Sequence, residues 1–323
     1  MRFRTETEPP AGYEGMIVHG EPVWTIGSCF ADNIGQRLAA DLFEVRANPF
    51  GPLFNPASIA AALLRVARRG EVAPESFFEH EGVWRSFDFH SRVSGPTAAE
   101  AAHRANTLIA AMSDELPRLR CLAVTLGSAF TFTHSATGRV VANCHKQPAA
   151  LFSRGTLGVG EMTTLLGEAF AALRSVNPGL RIMLTVSPVR HSAYGQHPDK
   201  LSKAACLLAT AELEREAGAV YFPAYEIMMD DLRDYRFYAP DMAHPTDQAA
   251  DYIYEIFARC FFSEETRRMA DAARGLTRLA AHRPADPERH RAALEAARAK
   301  LLAKYPQLNN ALAQQRSCLQ WTL

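Results

Sequence analysis

Two nucleophile-capable side chains, Ser28 and Cys29, stand next to each other near the N-terminus, directly after an apolar run that stops at Gly27. Apolar residues then recur at helical spacing, which predicts a strand, a tight turn and a helix that begins near Ser28. Unpaired backbone N–H groups at a helix N-terminus favour anions and lower the pKa of a thiol. The stretch therefore predicts an activated nucleophile. The alternative is that Ser28 is an N-cap and Cys29 a small buried residue.

A candidate acid–base pair comes much later, where Asp241 precedes His244 by three residues just before a predicted helix. A catalytic histidine needs a carboxylate that fixes its tautomer and stabilises its charged form, and this spacing can hold both side chains on one short turn. The pair predicts that His244 is a general base oriented by Asp241. Because this spacing is also common by chance, His244 could equally be a residue that starts the helix.

The elements that must position these groups alternate between strand and helix, which is typical of a mostly parallel sheet with helices on both faces. Continuous apolar runs at 121–126 and 181–187 predict strands buried on both sides, and 130–143 predicts a β-hairpin, whereas 77–90 is expected to be irregular. Helical periodicity predicts helices at about 57–69, 97–116, 161–175, 199–217, 245–260, 264–281 and 286–304. Ligand sites of open parallel sheets lie at the carboxyl ends of the strands, where the candidate side chains fall.

Composition argues against several functional classes. The 35 basic residues balance 35 acidic residues, so no global field recruits nucleic acid or an anionic membrane. No apolar run is long enough to span a membrane and the N-terminus lacks the core of a signal peptide, so we expect a cytoplasmic protein. Six cysteines contain no CxxC pair, which indicates neither a disulfide framework nor a zinc site. No glycine-rich phosphate loop follows a strand, and no cofactor is expected.

Five blocks of the chain resemble those of the GSCFA-domain family in the family's order: Gly27-Ser28-Cys29-Phe30-Ala31, Asn143-Cys144-His145-Lys146, Ser187-Pro188-Val189-Arg190-His191, Tyr221-Phe222-Pro223-Ala224-Tyr225-Glu226 and Asp241-Met242-Ala243-His244-Pro245. That family is similar to the SGNH (GDSL-type) hydrolase superfamily, which consists mostly of esterases, lipases, thioesterases and acyltransferases. The resemblance covers about residues 22–262. It implies a three-layer α/β/α, flavodoxin-like fold with a parallel five-stranded sheet. With the hairpin and the helical periodicity, the prediction is an α/β domain over 1–262 that has a β-hairpin insertion, followed by a C-terminal helical extension over 263–323, which lies outside the resemblance.

The superfamily resemblance leaves two candidates for the nucleophile. The usual first block reads Gly-Asp-Ser, and a strict alignment places Cys29 at the position of the serine. An alignment shifted by one residue makes Ser28 the nucleophile instead. A thiolate at a helix N-terminus needs less activation than a neutral hydroxyl, which favours Cys29. The residue that does not attack would be an N-cap or a donor in the oxyanion hole.

The resemblance also implies an oxyanion hole, which stabilises the developing negative charge of an acyl-transfer reaction. Gly51, in a proline-rich loop over 48–56, matches the superfamily's glycine N–H donor, with a simple turn glycine as the alternative. The superfamily's third-block asparagine is absent from residues 127–129. Asn143 at the end of the hairpin could bring an amide to the same place, with His145 and Lys146 lining the cleft.

Arg190 and His191 follow the predicted strand at 181–187, where they could bind a substrate carboxylate or phosphate or form a solvated strand end. We expect an acyl-transfer enzyme that acts on a small ester or thioester, either as a hydrolase or as an acyltransferase. The alternative is a binding or scaffolding protein that keeps the fold and has lost the chemistry along with the third-block asparagine. The Asp241 and His244 pair argues against that alternative.

Overall fold

The computed structural model describes residues 5–282 and 285–318. Residues 1–4, 283–284 and 319–323, the last of which end the predicted helical extension, lie outside the described residues. The strands are Val23–Gly27 (β1), Val45–Ala47 (β2), Phe78–His80 (β3), Val83–Arg85 (β4), Ser94–Gly95 (β5), Cys121–Leu126 (β6), Phe130–His134 (β7), Arg139–Val141 (β8), Phe152–Thr156 (β9), Arg181–Val186 (β10) and Val220–Tyr221 (β11). The helices are Cys29–Ala40 (α1), Pro56–Ala67 (α2), Ala98–Glu115 (α3), Val159–Val176 (α4), Gln196–Ala217 (α5), Ala224–Glu226 (α6), Asp247–Phe261 (α7), Glu264–Ala281 (α8), Pro287–Lys304 (α9) and Asn309–Cys318 (α10).

Five strands form one parallel sheet in the order β2-β1-β6-β10-β11. Numbered along the chain, this is the order 2-1-3-4-5 of flavodoxin-like sheets. Gly27 of β1 and Thr185 of β10 both lie opposite Thr125 of β6, so the carboxyl ends of the three central strands are level. The predicted α/β class and parallel sheet are confirmed.

Both faces of this sheet are buried, because successive side chains of a strand point to opposite sides. Trp24 and Ile26 belong to an apolar core with α2, α3, α4 and α5. Val23 and Ala123 belong to a second core with α1 and α7 on the other face. Continuous apolar strand sequences are the consequence of this double burial. The fold therefore has the three layers that were predicted.

Two small antiparallel sheets are inserted into this frame. The predicted hairpin consists of β7 and β8, and β9 pairs with the other side of β7 to make three strands. Strands β3, β4 and β5 form the second sheet, within and after the segment that was expected to be irregular. That expectation was wrong for β3 and β4, because strands of three residues are too short to show a period of two.

The helices after α7 pack against the end of α1. Ala273 and Leu276 of α8, with Leu301 of α9 and Leu308, form an apolar cluster around Leu42. In the same region, the Arg274 guanidinium lies 2.6 Å from the carboxylate of Asp41, whose side chain is 1% exposed. Among the described residues, no helix is both long and apolar enough to cross a membrane.

Candidate active site

The turn after β1 is held in place by contacts from two neighbouring strands. Gly27 has a φ of +139°, and a Cβ at this position would collide with the carbonyl oxygen of Thr125 on β6. Asn48, just after β2, clamps the turn from the other side. Its Oδ1 accepts a hydrogen bond from the Gly27 N–H at 2.8 Å, and its Nδ2 donates to the Ser28 carbonyl oxygen at 3.1 Å. The sheet therefore fixes the backbone that presents Ser28.

Ser28 is the N-cap of α1, where its Oγ accepts a hydrogen bond from the Phe30 N–H at 3.2 Å. The same hydroxyl donates to Ser187 Oγ, just after β10, at 2.9 Å. Gly127, just after β6, lies directly against it, because a Cβ built on Gly127 would be 3.2 Å from the Ser28 Cβ. The Ser28 side chain, only 1% exposed as a residue, thus faces the carboxyl ends of β6 and β10.

Cys29 has different surroundings. It is the first residue of α1 and is partly exposed. Its charged neighbours are Asp32 and Arg92, which pair with each other at 3.2 Å. Burial, followed by the negative charge of Asp32, raises the pKa of the Cys29 thiol. The expectation that this pKa is lowered was therefore wrong, because desolvation and the Asp32 charge outweigh the lowering by the backbone N–H of Cys29 and by Arg92.

A buried lysine connects the ends of the two central strands. Lys203 of α5 is 1% exposed, and its Nζ donates hydrogen bonds to the carbonyl oxygens of Gly127 at 2.6 Å and Ser187 at 2.7 Å. Burial lowers the pKa of Lys203 to about 8. This side chain therefore holds together the backbone segments that Ser28 faces.

Two further residues of α5 hold the loops around the site. Ser202 Oγ accepts a hydrogen bond from the Ala129 N–H at 2.8 Å and lies 3.2 Å from Ser128 Oγ. Asp199 Oδ1 accepts one from the His191 N–H at 3.0 Å. The segments that follow β6 and β10 are thus both attached to the same helix.

Asp241 and His244 share one exposed turn, with Asp241 Oδ2 2.6 Å from His244 Nδ1. Asp241 Oδ1 also accepts hydrogen bonds from the backbone N–H groups of Ala243 at 2.9 Å and His244 at 3.0 Å. The hydrogen bonds from the backbone of His244 and Ala243, together with that from the His244 ring, lower the pKa of Asp241 to about 2. The carboxylate is therefore ionised and orients the imidazole.

Arg190 attaches this turn to the end of β10. Its N–H donates to the Ala243 carbonyl oxygen at 3.1 Å. Its guanidinium carbon lies 3.9 Å from the ring centre of Tyr238 and 5.3 Å from that of Tyr235, which is a cation–π arrangement. The Arg190 side chain thus packs against two aromatic rings. Its role in binding a substrate anion stays a prediction. Among the described residues, His244 makes no hydrogen bond to either candidate nucleophile.

Three predicted site residues are engaged in local structure. The Gly51 N–H donates to the Asn48 carbonyl oxygen at 2.7 Å, and its φ of +75° matches the turn-glycine alternative. His145 is buried, its Nε2–H donates to the Ser86 carbonyl oxygen at 2.8 Å, and burial lowers its pKa. Lys146 is exposed. In the described part of the chain, none of these three residues is hydrogen-bonded to Ser28.

A cavity of 280 Å³ lies at this edge of the sheet. Its walls include the aromatic side chains of Phe54, Phe130, Phe132 and Tyr194 and the polar side chains of Asn55, Ser128, Asn143, Cys144 and His191. Asn143 and His191 were predicted for the site, and the structure places both here. A larger cavity of 780 Å³, lined by residues of α1, α7 and α8 such as Arg37 and Arg274, contains none of the predicted site residues among those described.

The cavity joins the nucleophile turn through Phe54 and Ser128. The Phe54 carbonyl oxygen accepts hydrogen bonds from the N–H groups of Gly127 at 3.1 Å and Ser128 at 2.9 Å, and Gly127 packs on Ser28. His191 lines the cavity and is close enough to His244 for the two rings to interact electrostatically. Burial, the Lys203 ammonium group and the nearby His244 lower the pKa of His191 to about 4, so its ring is neutral.

Comparison with known protein families finds a match to the GSCFA family over residues 22–257. This range contains the turn at Ser28, the cavity walls and the turn at Asp241. The chain belongs to the GSCFA family. Comparisons with curated proteins and with solved structures found no match. The GSCFA match confirms the resemblance seen in the five sequence blocks.

Asn48, Asn55 and Ser187 lie in strand-end segments that were predicted to matter, but they were given no role of their own. The α5 residues Asp199, Ser202 and Lys203 were not predicted at all. The α5 residues lie at positions i, i+3 and i+4, which places them on one face of a helix. All three are buried, with exposures of 1%. A polar stripe on a helix that follows the strand-end block at 187–191 is the signal that could have indicated them. Within the described residues, no cluster of His, Cys, Asp and Glu side chains could hold a metal ion.

Proposed function

We propose that this GSCFA protein is an acyl-transfer enzyme in which Ser28 is the nucleophile and His244, oriented by Asp241, is the general base. The observation that carries the proposal is the position of Ser28 at the carboxyl ends of the central strands, with the Asp241–His244 turn attached to the end of β10 by the Arg190 N–H. A serine after the first strand and an Asp-x-x-His turn after the last strand also support the resemblance to SGNH-type hydrolases.

Two observations support Ser28 over Cys29. The Ser28 hydroxyl faces Ser187 and Gly127, which adjoin the cavity residue Ser128 and lie at the strand end where Arg190 holds the His244 turn. Cys29 lies beside the Asp32–Arg92 ion pair, and its raised pKa disfavours a preformed thiolate. A hydroxyl requires a general base in any case, and the oriented imidazole of His244 provides one.

In the proposed reaction, Ser28 Oγ attacks the carbonyl carbon of an ester or thioester while the hydroxyl proton passes to His244 Nε2. Collapse of the tetrahedral intermediate breaks the bond to the leaving alkoxide or thiolate, which takes that proton. Water or an acceptor hydroxyl or amine then attacks the acyl-enzyme and gives its proton to His244. The second collapse returns the proton to Ser28 Oγ and releases the acid or the acyl product.

In the free protein, Ser28 and His244 are not yet hydrogen-bonded to each other. Ser28 donates to Ser187 Oγ, and the His244 turn is exposed, with 44% of the His244 side chain accessible. In the reacting complex, Ser28 must exchange its bond to Ser187 for one to His244. Catalytic hydrogen bonds are often unformed in free enzymes and tighten when the substrate binds. In this proposal the exposed turn moves toward the sheet when the substrate binds.

The experiment is a panel of acyl esters and acyl thioesters, with covalent adducts detected by intact-protein mass spectrometry. We expect an acyl adduct on the wild-type protein that peptide mapping assigns to Ser28. Ser28→Ala should abolish the adduct and reduce turnover at least about a thousandfold, as expected for a lost nucleophile. His244→Ala should slow acylation by about a hundredfold or more, because a general base contributes this much.

Cys29→Ala is the matched control, because it changes the adjacent residue on the same turn. We expect it to retain at least about half of the wild-type rate, whereas activated-thiol catalysis would be abolished. An adduct that maps to Cys29 would reverse the assignment of the nucleophile. The acyl-transfer proposal itself fails if no substrate of the panel acylates the wild-type protein.

A further inference from the structure

Only the oxygen of the Asn55 side-chain amide makes a hydrogen bond among the described residues. It is the N-cap of α2, where its Oδ1 accepts a hydrogen bond from the Ser58 N–H at 2.8 Å. Only the oxygen of an amide can accept, so this bond fixes which way the amide points. Asn55 is 4% exposed, lines the 280 Å³ cavity, and in the described part of the chain its NH₂ group has no partner. This NH₂ group is therefore free to donate to an acceptor from outside the protein, such as the oxygen of a ligand.

Asn143 presents a second amide to the same cavity. Its Oδ1 accepts a hydrogen bond from the His145 N–H at 2.7 Å, which again assigns the oxygen and the nitrogen. Its NH₂ group makes no hydrogen bond to another described residue. The loop before α2 and the segment after β8 therefore each contribute an unpaired N–H donor to one cavity. Two such donors suit an oxygen acceptor such as a carbonyl.

The other walls of the cavity disfavour a charged ligand. No Asp, Glu, Lys or Arg is found among the described residues that line it. His191 is neutral because burial and the Lys203 ammonium group depress its pKa. A carboxylate or an ammonium group would lose hydration in this cavity without meeting an opposite charge among the wall residues; the Arg154 guanidinium packs on the rings of Phe130 and Tyr194 and is not itself a wall residue. The aromatic walls instead favour an apolar or aromatic group.

The volume limits the size of that group. A dry apolar cavity of about 150 Å³ is enough to hold benzene. The 280 Å³ cavity therefore has room for one ring with a short substituent, and a long acyl chain would have to leave it. The wall residues Phe54 and Ser128 are hydrogen-bonded to each other beside Gly127, which packs on Ser28, so the cavity is joined to the turn of the proposed nucleophile although Ser28 is not one of its wall residues.

We infer that this cavity binds the acyl part of the substrate as an uncharged aromatic or compact apolar group whose carbonyl oxygen accepts hydrogen bonds from the side-chain amides of Asn55 and Asn143. The substrate class is then an ester or thioester of an uncharged aromatic or short apolar carboxylic acid. The assignment as an acyl site rests on the proposed function, whereas binding to the cavity can be measured separately.

The test uses the full-length chain with Ser28→Ala, so that no ligand can be consumed, and measures binding of benzamide by ligand-observed NMR or calorimetry. Benzoate, which has the same shape and a negative charge, is the comparison ligand. We expect benzamide to bind at least tenfold more tightly than benzoate. Ala142→Phe, which fills the cavity from one wall, should abolish benzamide binding.

Asn55 is tested by two substitutions that keep an oxygen acceptor for the Ser58 N–H and remove the NH₂ donor. Asn55→Asp has the shape of the original side chain, and Asn55→Ser is uncharged. Both should weaken benzamide binding at least fivefold while the thermal midpoint stays close to that of the parent. Asn310→Asp, at an exposed position of α10, is the control and should bind like the parent.

Benzamide binding that is absent, equal to that of benzoate, or unchanged in both Asn55 variants would overturn the inference. This result is distinguishable from a failure of the proposed function. An acyl adduct on Ser28 without benzamide binding leaves the enzyme proposal standing and removes the cavity proposal. Benzamide binding that depends on Asn55, without any adduct, supports the cavity and removes the acyl-transfer proposal.

Discussion

The two turns that carry the proposed nucleophile and base have opposite surroundings. The turn at Ser28 is buried, and it is held by Asn48 on one side and by the Thr125 backbone on the other. The turn at Asp241 and His244 is half exposed, with 51% and 44% of the two side chains accessible. Its geometry depends on hydrogen bonds within the turn and on one bond from the Arg190 N–H.

This difference indicates which half of the site can move. Displacing Ser28 would break backbone contacts of the central sheet, which are among the most protected parts of a fold. The His244 turn has few such contacts, so it can approach a substrate at small energetic cost. The nucleophile is therefore preorganised by the fold, and the base is positioned locally. Substitutions at the two turns should differ accordingly in their effect on stability.

The largest effect is expected for Gly27→Ala. The substitution adds a Cβ that collides with the Thr125 carbonyl oxygen, at a φ of +139° that only glycine adopts readily. We expect the free energy of unfolding in urea to fall by at least about 4 kcal/mol, or the protein not to fold.

Gly160→Ala in α4 is the control for Gly27→Ala, because a Cβ there meets no atom within 4 Å. It should leave stability within about 1 kcal/mol of the wild type. A Gly27→Ala protein that is as stable as this control would show that the nucleophile turn is not fixed by the sheet.

A smaller but still substantial effect is expected for Lys203→Met. The methionine keeps the apolar part of the side chain and removes the donor for the carbonyl oxygens of Gly127 and Ser187. Two buried acceptors without partners should lower the free energy of unfolding by about 2–4 kcal/mol in urea denaturation at neutral pH. The control Lys200→Met removes a hydrogen bond to the Tyr225 hydroxyl on the protein surface and should cost less than about 1 kcal/mol.

The Lys203 prediction has a pH dependence of defined sign. The pKa of Lys203 is lowered by burial from 10.5 to about 8, so the folded protein binds fewer protons than the unfolded chain between these values. Stability therefore rises with pH in this window. The wild type should gain stability relative to Lys203→Met between pH 8 and 10.5, and a constant difference would contradict the lowered pKa of this lysine in the folded protein.

The central fold could be predicted because its signals are local. The strand β6 was predicted over 121–126 and is observed over the same residues, since a strand buried on both faces is apolar throughout. The helix at 264–281 was likewise predicted with its observed bounds. The strands β3, β4 and β5 contain two or three residues each, and their pairing depends on partners that the sequence pattern does not indicate.

The site was predictable only where its contacts are short in sequence. Asp241 and His244 are three residues apart, so their pairing follows from the turn. Lys203 is hydrogen-bonded to carbonyl groups 16 and 76 residues away in the sequence, and no local sequence pattern indicates these contacts. The Cys29 pKa was predicted from its helix position alone, whereas desolvation by the folded chain decides it. Long-range burial is thus the physical reason for both failures.

The smallest stability effect is expected at the exposed turn, from acid titration of Asp241. Its pKa is lowered from 3.8 to about 2 by the backbone N–H groups of His244 and Ala243 and by the His244 ring. A carboxylate with a lowered pKa contributes stability that is present above the unfolded value and is lost as the pH falls through the folded value. The wild type should therefore lose a small stability advantage over Asp241→Asn between pH 4 and 2, measured as the thermal midpoint.

A second variant separates the backbone from the imidazole as the cause. His244→Gln keeps both backbone N–H donors to Asp241 Oδ1 and removes the ring, so carboxyl-carbon NMR should show a pKa for Asp241 that rises only part of the way toward 3.8. A complete return to 3.8 would mean that the imidazole alone holds the carboxylate. A partial return means that the backbone of the turn fixes Asp241 first, and that Asp241 in turn orients the base before any substrate is bound.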